Sequence, residues 1–248
     1  GQTVLIFSPH PDDETIACGG YIYESISRGA EVFVVLITDG NRRNLRDLRY
    51  MEFLNAMNIL GVPADNLIFL EYPDSRLAFQ GEKELKNVFF EQIDLYKPDI
   101  LFYPHPEDNH KDHSTTGRII EIILDEMSEA EEKLEKMEGL ESVIKEEVLE
   151  ELVELHRLFE NIFSYKYLVH HKSYPHPKRY APDLFVLPPL DLITIDGGWE
   201  RFMLNNKTIK IKEQALRAYS SQLRNILLKN LLESSIRQNE IFAVYCVE

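Results

Sequence analysis

Two apolar runs, residues 4–7 (Val-Leu-Ile-Phe) and residues 32–37 (Val-Phe-Val-Val-Leu-Ile), contain no polar residue in alternation. A strand wetted on one face alternates apolar with polar. A continuous run rich in β-branched residues fits a strand covered by helices on both faces, as in parallel sheets. Between the two runs, residues 15–28 have helical spacing and close at Gly29, which completes a βαβ unit with the default right-handed crossover. The alternation continues with a helix over 45–60 that stops at Gly61-Val62-Pro63, a strand over 66–71, a helix over 83–96 ending at Pro98, and a strand over 100–103. The expected fold class is therefore α/β: a doubly wound, mostly parallel sheet with flanking helices, Rossmann-like and three-layered. Ligands of such sheets bind beyond the carboxyl ends of the strands.

Residues 116–163 read as helical and rich in Glu and Leu, interrupted near Gly139. Residues 121–160 hold 15 Asp and Glu against 4 Lys and Arg, a net of −11 out of −15, so the remaining 208 residues carry only −4. The acidity belongs to one segment. The expected organisation is a single domain over 1–248 with a helical acidic insertion at about 121–163, which reads as a solvated surface or a homo-oligomer contact. Further on, 167–169 and 184–187 are short apolar stretches around a Pro- and His-rich loop. Residues 208–232 read as a last long helix and 241–246 as a final strand. The negative charge argues against a nucleic-acid partner. No window approaches the roughly 20 apolar residues of a membrane span, and Gly1 leads almost directly into the first strand, so a soluble, cytoplasmic chain without a signal peptide is expected. Cys18 and Cys246 lack any C-x-x-C spacing and read as small buried residues rather than a disulfide or a thiolate zinc site.

Each polar cluster sits just past a strand end. His10-Pro11-Asp12-Asp13-Glu14 follows the first strand, and His110-Lys111-Asp112-His113 follows the strand over 100–103. Two imidazoles and a carboxylate suit a catalytic zinc, which keeps three protein ligands and leaves a position for water. His10, Asp13 and His113 supply that set. Asp12 is a candidate base for the water proton. His110 could protonate a leaving nitrogen or steady an oxyanion, with Asp112 fixing its tautomer. A helix cap would account for one of the paired carboxylates, but not for the histidine beside them or the matching downstream cluster. His105 and His176, in Pro-rich surroundings, read as packing or surface residues.

These residues carry a resemblance. Ser8 to Glu14, Cys18-Gly19-Gly20, Thr38-Asp39-Gly40 and His110 to His113 resemble, in order, the PIG-L/LmbE family of zinc-dependent N-acetylglucosamine deacetylases. The likeness extends to Arg49-x-x-Glu52-x-x-x-Ala56-x-x-x-Leu60-Gly61, to Tyr72-Pro73-Asp74, to Lys97-Pro98-Asp99, and to Lys212-x-x-Ala215-Leu216-x-x-Tyr219-Ser220-Ser221-Gln222. By resemblance, the metal ligands fall on His10, Asp13 and His113, the general base on Asp12, and the charge-stabilising histidine on His110 with Asp112 behind it. An arginine and an aspartate near the sugar fall on Arg49 and Asp74, although Arg43 and Arg46 stand close by. Lys111 replaces the family's usual proline.

The implied activity is removal of an N-acetyl group from an N-acetylglucosamine-type conjugate, giving acetate and a free amine, with Zn2+ as cofactor and Fe2+ as its alternative. The implied substrate is a small-molecule or lipid-linked amino sugar. Two other readings remain open: a non-catalytic sugar-binding relative, which would be expected to have lost Asp12 or His110, and a non-haem iron oxygenase using the same two-His-one-carboxylate set.

Overall fold

The computed structural model describes residues 1–41, 44–137, 162–172 and 174–245. Seven strands, β1 (Thr3–Ser8), β2 (Glu31–Thr38), β3 (Leu67–Tyr72), β4 (Ile100–Pro104), β5 (Phe163–Tyr167), β6 (Trp199–Met203) and β7 (Asn239–Val244), form one sheet in the order β3-β2-β1-β4-β5-β7-β6. The first five are mutually parallel, β7 runs antiparallel to β5, and β6 runs antiparallel to β7. Chain order reverses between β1 and β4, so the crevice of this doubly wound sheet opens past Ser8 and Pro104.

Each continuous apolar run serves both faces at once, because successive side chains of a strand point to opposite sides. Val4, Ile6, Val34 and Leu36 pack with the helices α1 (Asp13–Ser27), α2 (Arg46–Leu60) and α5 (Asn206–Ala218). Leu5, Phe7, Val35 and Ile37 pack on the other side with α3 (Glu82–Tyr96) and α4 (Lys111–Met137). The three-layer expectation from the uninterrupted runs is met, and Cys18 is a fully buried free thiol as expected. Among the described residues, no helix is long and apolar enough to cross a membrane.

The later half departs from expectation. The helix read over 116–163 begins earlier, at Lys111, and is described to Met137; Phe163 already belongs to β5, and most of the acidic insertion lies outside the described residues, as does Cys246. The single helix read over 208–232 is three: α5, the short α6 (Ser220–Leu223) and α7 (Ile226–Ser234). The first break is at Tyr219, held at φ −79° and ψ 58°, and the second is at Asn225, whose side chain caps α7 by accepting from the Leu227 amide. Residues 184–187, read only as a short apolar stretch, lie outside the sheet. The Asn239 side chain instead bonds both the N–H and the carbonyl of Val186, replacing a ladder pair.

Candidate active site

The turn between β1 and α1 holds Asp12 at φ 129°, a conformation costly for a residue with a side chain. Buried Glu14 holds the turn in place. One of its oxygens accepts from Ser8 Oγ at 2.9 Å and from the Asp12 amide at 3.3 Å, and the other accepts from Thr15 Oγ1 and Tyr219 Oη, each at 2.6 Å. Asp12 makes no side-chain cap to α1, so helix capping does not explain the paired aspartates.

The turn brings two donor atoms together with one from α4. His10 Nδ1 lies 3.1 Å from Asp13 Oδ2 and 3.3 Å from His113 Nε2, and the Asp13–His113 edge is 2.9 Å. A tetrahedral cation with bonds of about 2.0–2.1 Å has donor–donor edges of roughly 3.3 Å, which matches this triangle. Among the described residues, Asp13 Oδ1 is buried without a hydrogen-bond partner, which for a carboxylate oxygen is expensive unless a cation stands near. Electrostatics point the same way. Burial lowers the pKa of His10, yet bonds to Asp112 and Asp13 outweigh it and raise the pKa to about 9; burial opposes ionisation of Asp13, yet His113 and His10 hold its carboxyl well below the usual carboxylate range. The cluster calls for positive charge, and its donor set fits a metal ion.

Asp12 stands beside this triangle with Arg49. The Arg49 guanidinium is buried and spans the site: Nη2 donates to the Pro11 carbonyl at 2.8 Å and lies 3.5 Å from Asp12 Oδ2, while Nη1 reaches Asp74 Oδ2 and the Gly40 carbonyl at 3.4 Å. Burial pushes the Asp12 carboxyl up to about 8 against the pull of Arg49. Asp74 Oδ1 is 3.6 Å from His10 Nε2, so both residues read as sugar contacts border the triangle. Arg46 instead turns outward to Glu71, and Arg43 lies outside the described residues.

Helix α4 reaches the crevice only because Gly117 allows it. A Cβ there would sit 2.4 Å from the Pro104 carbonyl oxygen. His110 lies near the triangle, its ring 4.5 Å from His10 and 5.1 Å from His113. Its Nδ1 accepts the Asp112 backbone N–H at 3.2 Å, which places the proton of the neutral ring on Nε2. Here the structure corrects the role read for Asp112. Its backbone fixes the His110 tautomer, whereas its carboxylate accepts from His10 Nε2 at 3.2 Å and from the amides of Ser75 (2.7 Å) and Leu77 (3.1 Å).

Two residues at the site escape the sequence reading. Asp108 accepts from the amides of His110, Val169 and His170 and faces His113 Nδ1 at 3.5 Å; burial opposes its charge, but His113 and these bonds hold it far below its ordinary value. His170, just past β5, places its ring 5.1 Å from His113. Asp108 was legible as part of the second cluster by its spacing, two residues before His110; His170 had no such signal. His105, read as a packing residue, bonds Asp196 at 3.1 Å outside the triangle, and His176 is exposed.

Residues 5–124 match the family PIG-L, described as GlcNAc-PI de-N-acetylase. Over those residues the chain is PIG-L-like. The chain is 31% identical over 135 residues to a Bacillus anthracis protein named "Probable N-acetyl-alpha-D-glucosaminyl L-malate deacetylase 2", a match covering 49% of this chain and 58% of that one. The chain spans little more than half the length of that curated relative. The N,N'-diacetylchitobiose deacetylase of Pyrococcus horikoshii shares its fold at TM-score 0.55 and 20% identity, over 98% of this chain and 84% of that one. So does the 4-carboxy-2-hydroxymuconate hydratase of Pseudomonas putida, at TM-score 0.54 and 13% identity over 93% and 83%. A deacetylase and a hydratase on one PIG-L-like fold mean that the reaction must be argued from the site.

Proposed function

We propose that the chain is a metal-dependent hydrolase that removes an N-acetyl group from an N-acetylglucosamine-type conjugate, releasing acetate and a free amine. The carrying observation is the triangle of His10 Nδ1, Asp13 Oδ2 and His113 Nε2, with the carboxylate of Asp12 beside it and serving no helix cap. The names of the PIG-L family and of the Bacillus anthracis relative support the same substrate class.

His10, Asp13 and His113 would hold zinc, or iron(II) in its place. Such an ion supplies Lewis acidity toward an acyl oxygen and lowers the pKa of a bound water to about 7. Asp12 takes the proton of the attacking water and passes it to the leaving nitrogen, so one carboxylate serves both halves of the reaction. Asp12, in its unusual backbone conformation, makes no side-chain cap to α1, and Arg49 lies 3.5 Å from its carboxylate. His110, with its proton on Nε2, donates to the acyl oxygen as negative charge develops there. Asp112 orients His10 and Asp108 backs His113, the carboxylate–histidine support common behind metal ligands. Arg49 and Asp74 border the space where sugar hydroxyls would lie, and the aglycone is a small molecule or a lipid.

Acetate and primary-amine release from a panel of N-acetylglucosamine conjugates tests the reading. Asp12→Asn and His110→Ala should each lower kcat by about 10²–10⁴-fold with metal content unchanged. A metal-loaded wild-type protein that releases nothing from any conjugate overturns it.

A further inference from the structure

We infer that His170 is a fourth protein donor to the metal held by His10, Asp13 and His113. The inference rests on the metal centre proposed above, not on the identity of the substrate.

The topology delivers His170 to the site. It follows β5, which lies next to β4 in the sheet, and so emerges at the same carboxyl-end crevice as His110 and His113. Its donor atom, a carboxylate oxygen of Asp13 and a ring nitrogen of His113 all lie within 4.8 Å of one another. Its ring centroid is 5.1 Å from that of His113 and 5.6 Å from that of His110. Asp108 ties the two together: the oxygen that accepts the His170 amide at 2.8 Å is the one facing His113 Nδ1 at 3.5 Å. The His170 backbone is thus anchored to the support of a proposed ligand.

Neighbouring histidines serve as an internal control. His105 engages both ring nitrogens, Nε2 with Asp196 and Nδ1 with the Glu107 amide. His171 does the same, with Asp191 and the Glu107 carbonyl. Among the described residues, neither ring nitrogen of His170 has a hydrogen-bond partner, although the residue is half-buried and crowded by other imidazoles. Within the same group of donor residues, Asp13 Oδ1 is buried without a hydrogen-bond partner among the described residues, an oxygen that a cation would satisfy. Donors on opposite sides of a cation with bonds of about 2.1 Å stand roughly 4.2 Å apart, close to the upper bound of 4.8 Å on the spacing among the His170, Asp13 and His113 donors. With water included, the coordination number becomes five, which zinc sites can adopt and which keeps the water position open.

The test uses the cobalt(II)-loaded protein, with visible absorption as the readout of coordination number and chelator competition as the readout of affinity, in wild type, His170→Ala and His171→Ala. If His170 is a ligand, His170→Ala weakens affinity at least tenfold and its absorption intensifies toward that of a four-coordinate ion, while His171→Ala matches wild type. Affinity and spectrum unchanged in His170→Ala overturn the inference, even if acetate release falls, because His170 then acts on the substrate and not on the metal. A wild-type protein that binds no cobalt or zinc overturns it together with the metal centre. A metal shift in His170→Ala alongside a wild type inactive on every sugar conjugate leaves His170 as a ligand and removes only the substrate reading.

Discussion

Helix α1 is bordered by two clusters of buried charge. Near its first turn lie His10, Asp12, Asp13, Arg49 and His113, and along its middle lie Lys212 and Glu240. In the second cluster every partner is present: Lys212 Nζ donates to the Ile16 carbonyl at 2.8 Å and to Glu240 Oε1 at 2.6 Å, and Glu240 accepts from the amides of Gly20 (2.7 Å) and Tyr21 (2.8 Å). Ile16 and Gly20 stand four residues apart, the spacing of a helical hydrogen bond, so this ion pair clasps the helix backbone itself. Among the described residues, Asp13 Oδ1 and Arg49 Nε of the first cluster have no hydrogen-bond partner, and two imidazole nitrogens face each other. A buried cluster that satisfies itself is a brace. One whose donors converge and remain unsatisfied is shaped for something brought from outside.

The largest effect should come from breaking the brace. Lys212→Met strands Glu240 in the interior and should cost about 3–5 kcal/mol in denaturant unfolding, with no change in metal affinity of the folded protein. Next, the open cluster should respond to metal where the brace does not. Zinc at about 100 times its dissociation constant should stabilise the wild type by about 2.7 kcal/mol, and Asp13→Asn should abolish that gain. An undiminished gain in Asp13→Asn would erase the distinction between the clusters.

Tyr219→Phe probes the link between them, since Tyr219 leaves α5 to reach Glu14. Loss of the hydroxyl should cost about 1–3 kcal/mol, and acetate release should fall with it because Glu14 holds the Asp12 turn. The smallest effect concerns a third, self-satisfied cluster. Burial opposes the charge on Asp196, but bonds from His105 and Lys166 keep its carboxyl below the ordinary value. Its stabilisation should be complete above about pH 4, the unfolded carboxyl range, and fade as pH falls through the lower folded value. Melting temperatures of wild type and Asp196→Asn should therefore converge on acidification below pH 4; a constant difference would contradict this.

The Lys212 to Gln222 motif shows what a sequence pattern conceals. It stands far from the metal cluster in sequence and resembles part of the same family signature, yet its side chains brace the scaffold: Lys212 on α1, Tyr219 on Glu14, and Ser220 and Ser221 on Glu52. His170 is the converse, a residue without any motif that emerges beside His113. The Asp112 carboxylate had two histidines near it in sequence, and went to the one a hundred residues away.

The order of β1, α1, β2, α2, β3, α3 and β4, the sidedness of the core, and the placing of His10, Asp13 and His113 past strand ends were all determined by the sequence alone. The reason is that run continuity, helix stops and turn residues act locally. The three-way break of 206–234, the edge strand β6, the pairing of Asp112 with His10, and the arrival of Asp108 and His170 at the site were decided only by tertiary structure. Each depends on contacts between distant segments: the parallel register of β4 and β5, the approach of α4 that Gly117 permits, and the buried hydrogen bonds that Glu14 and Asp108 gather across the fold.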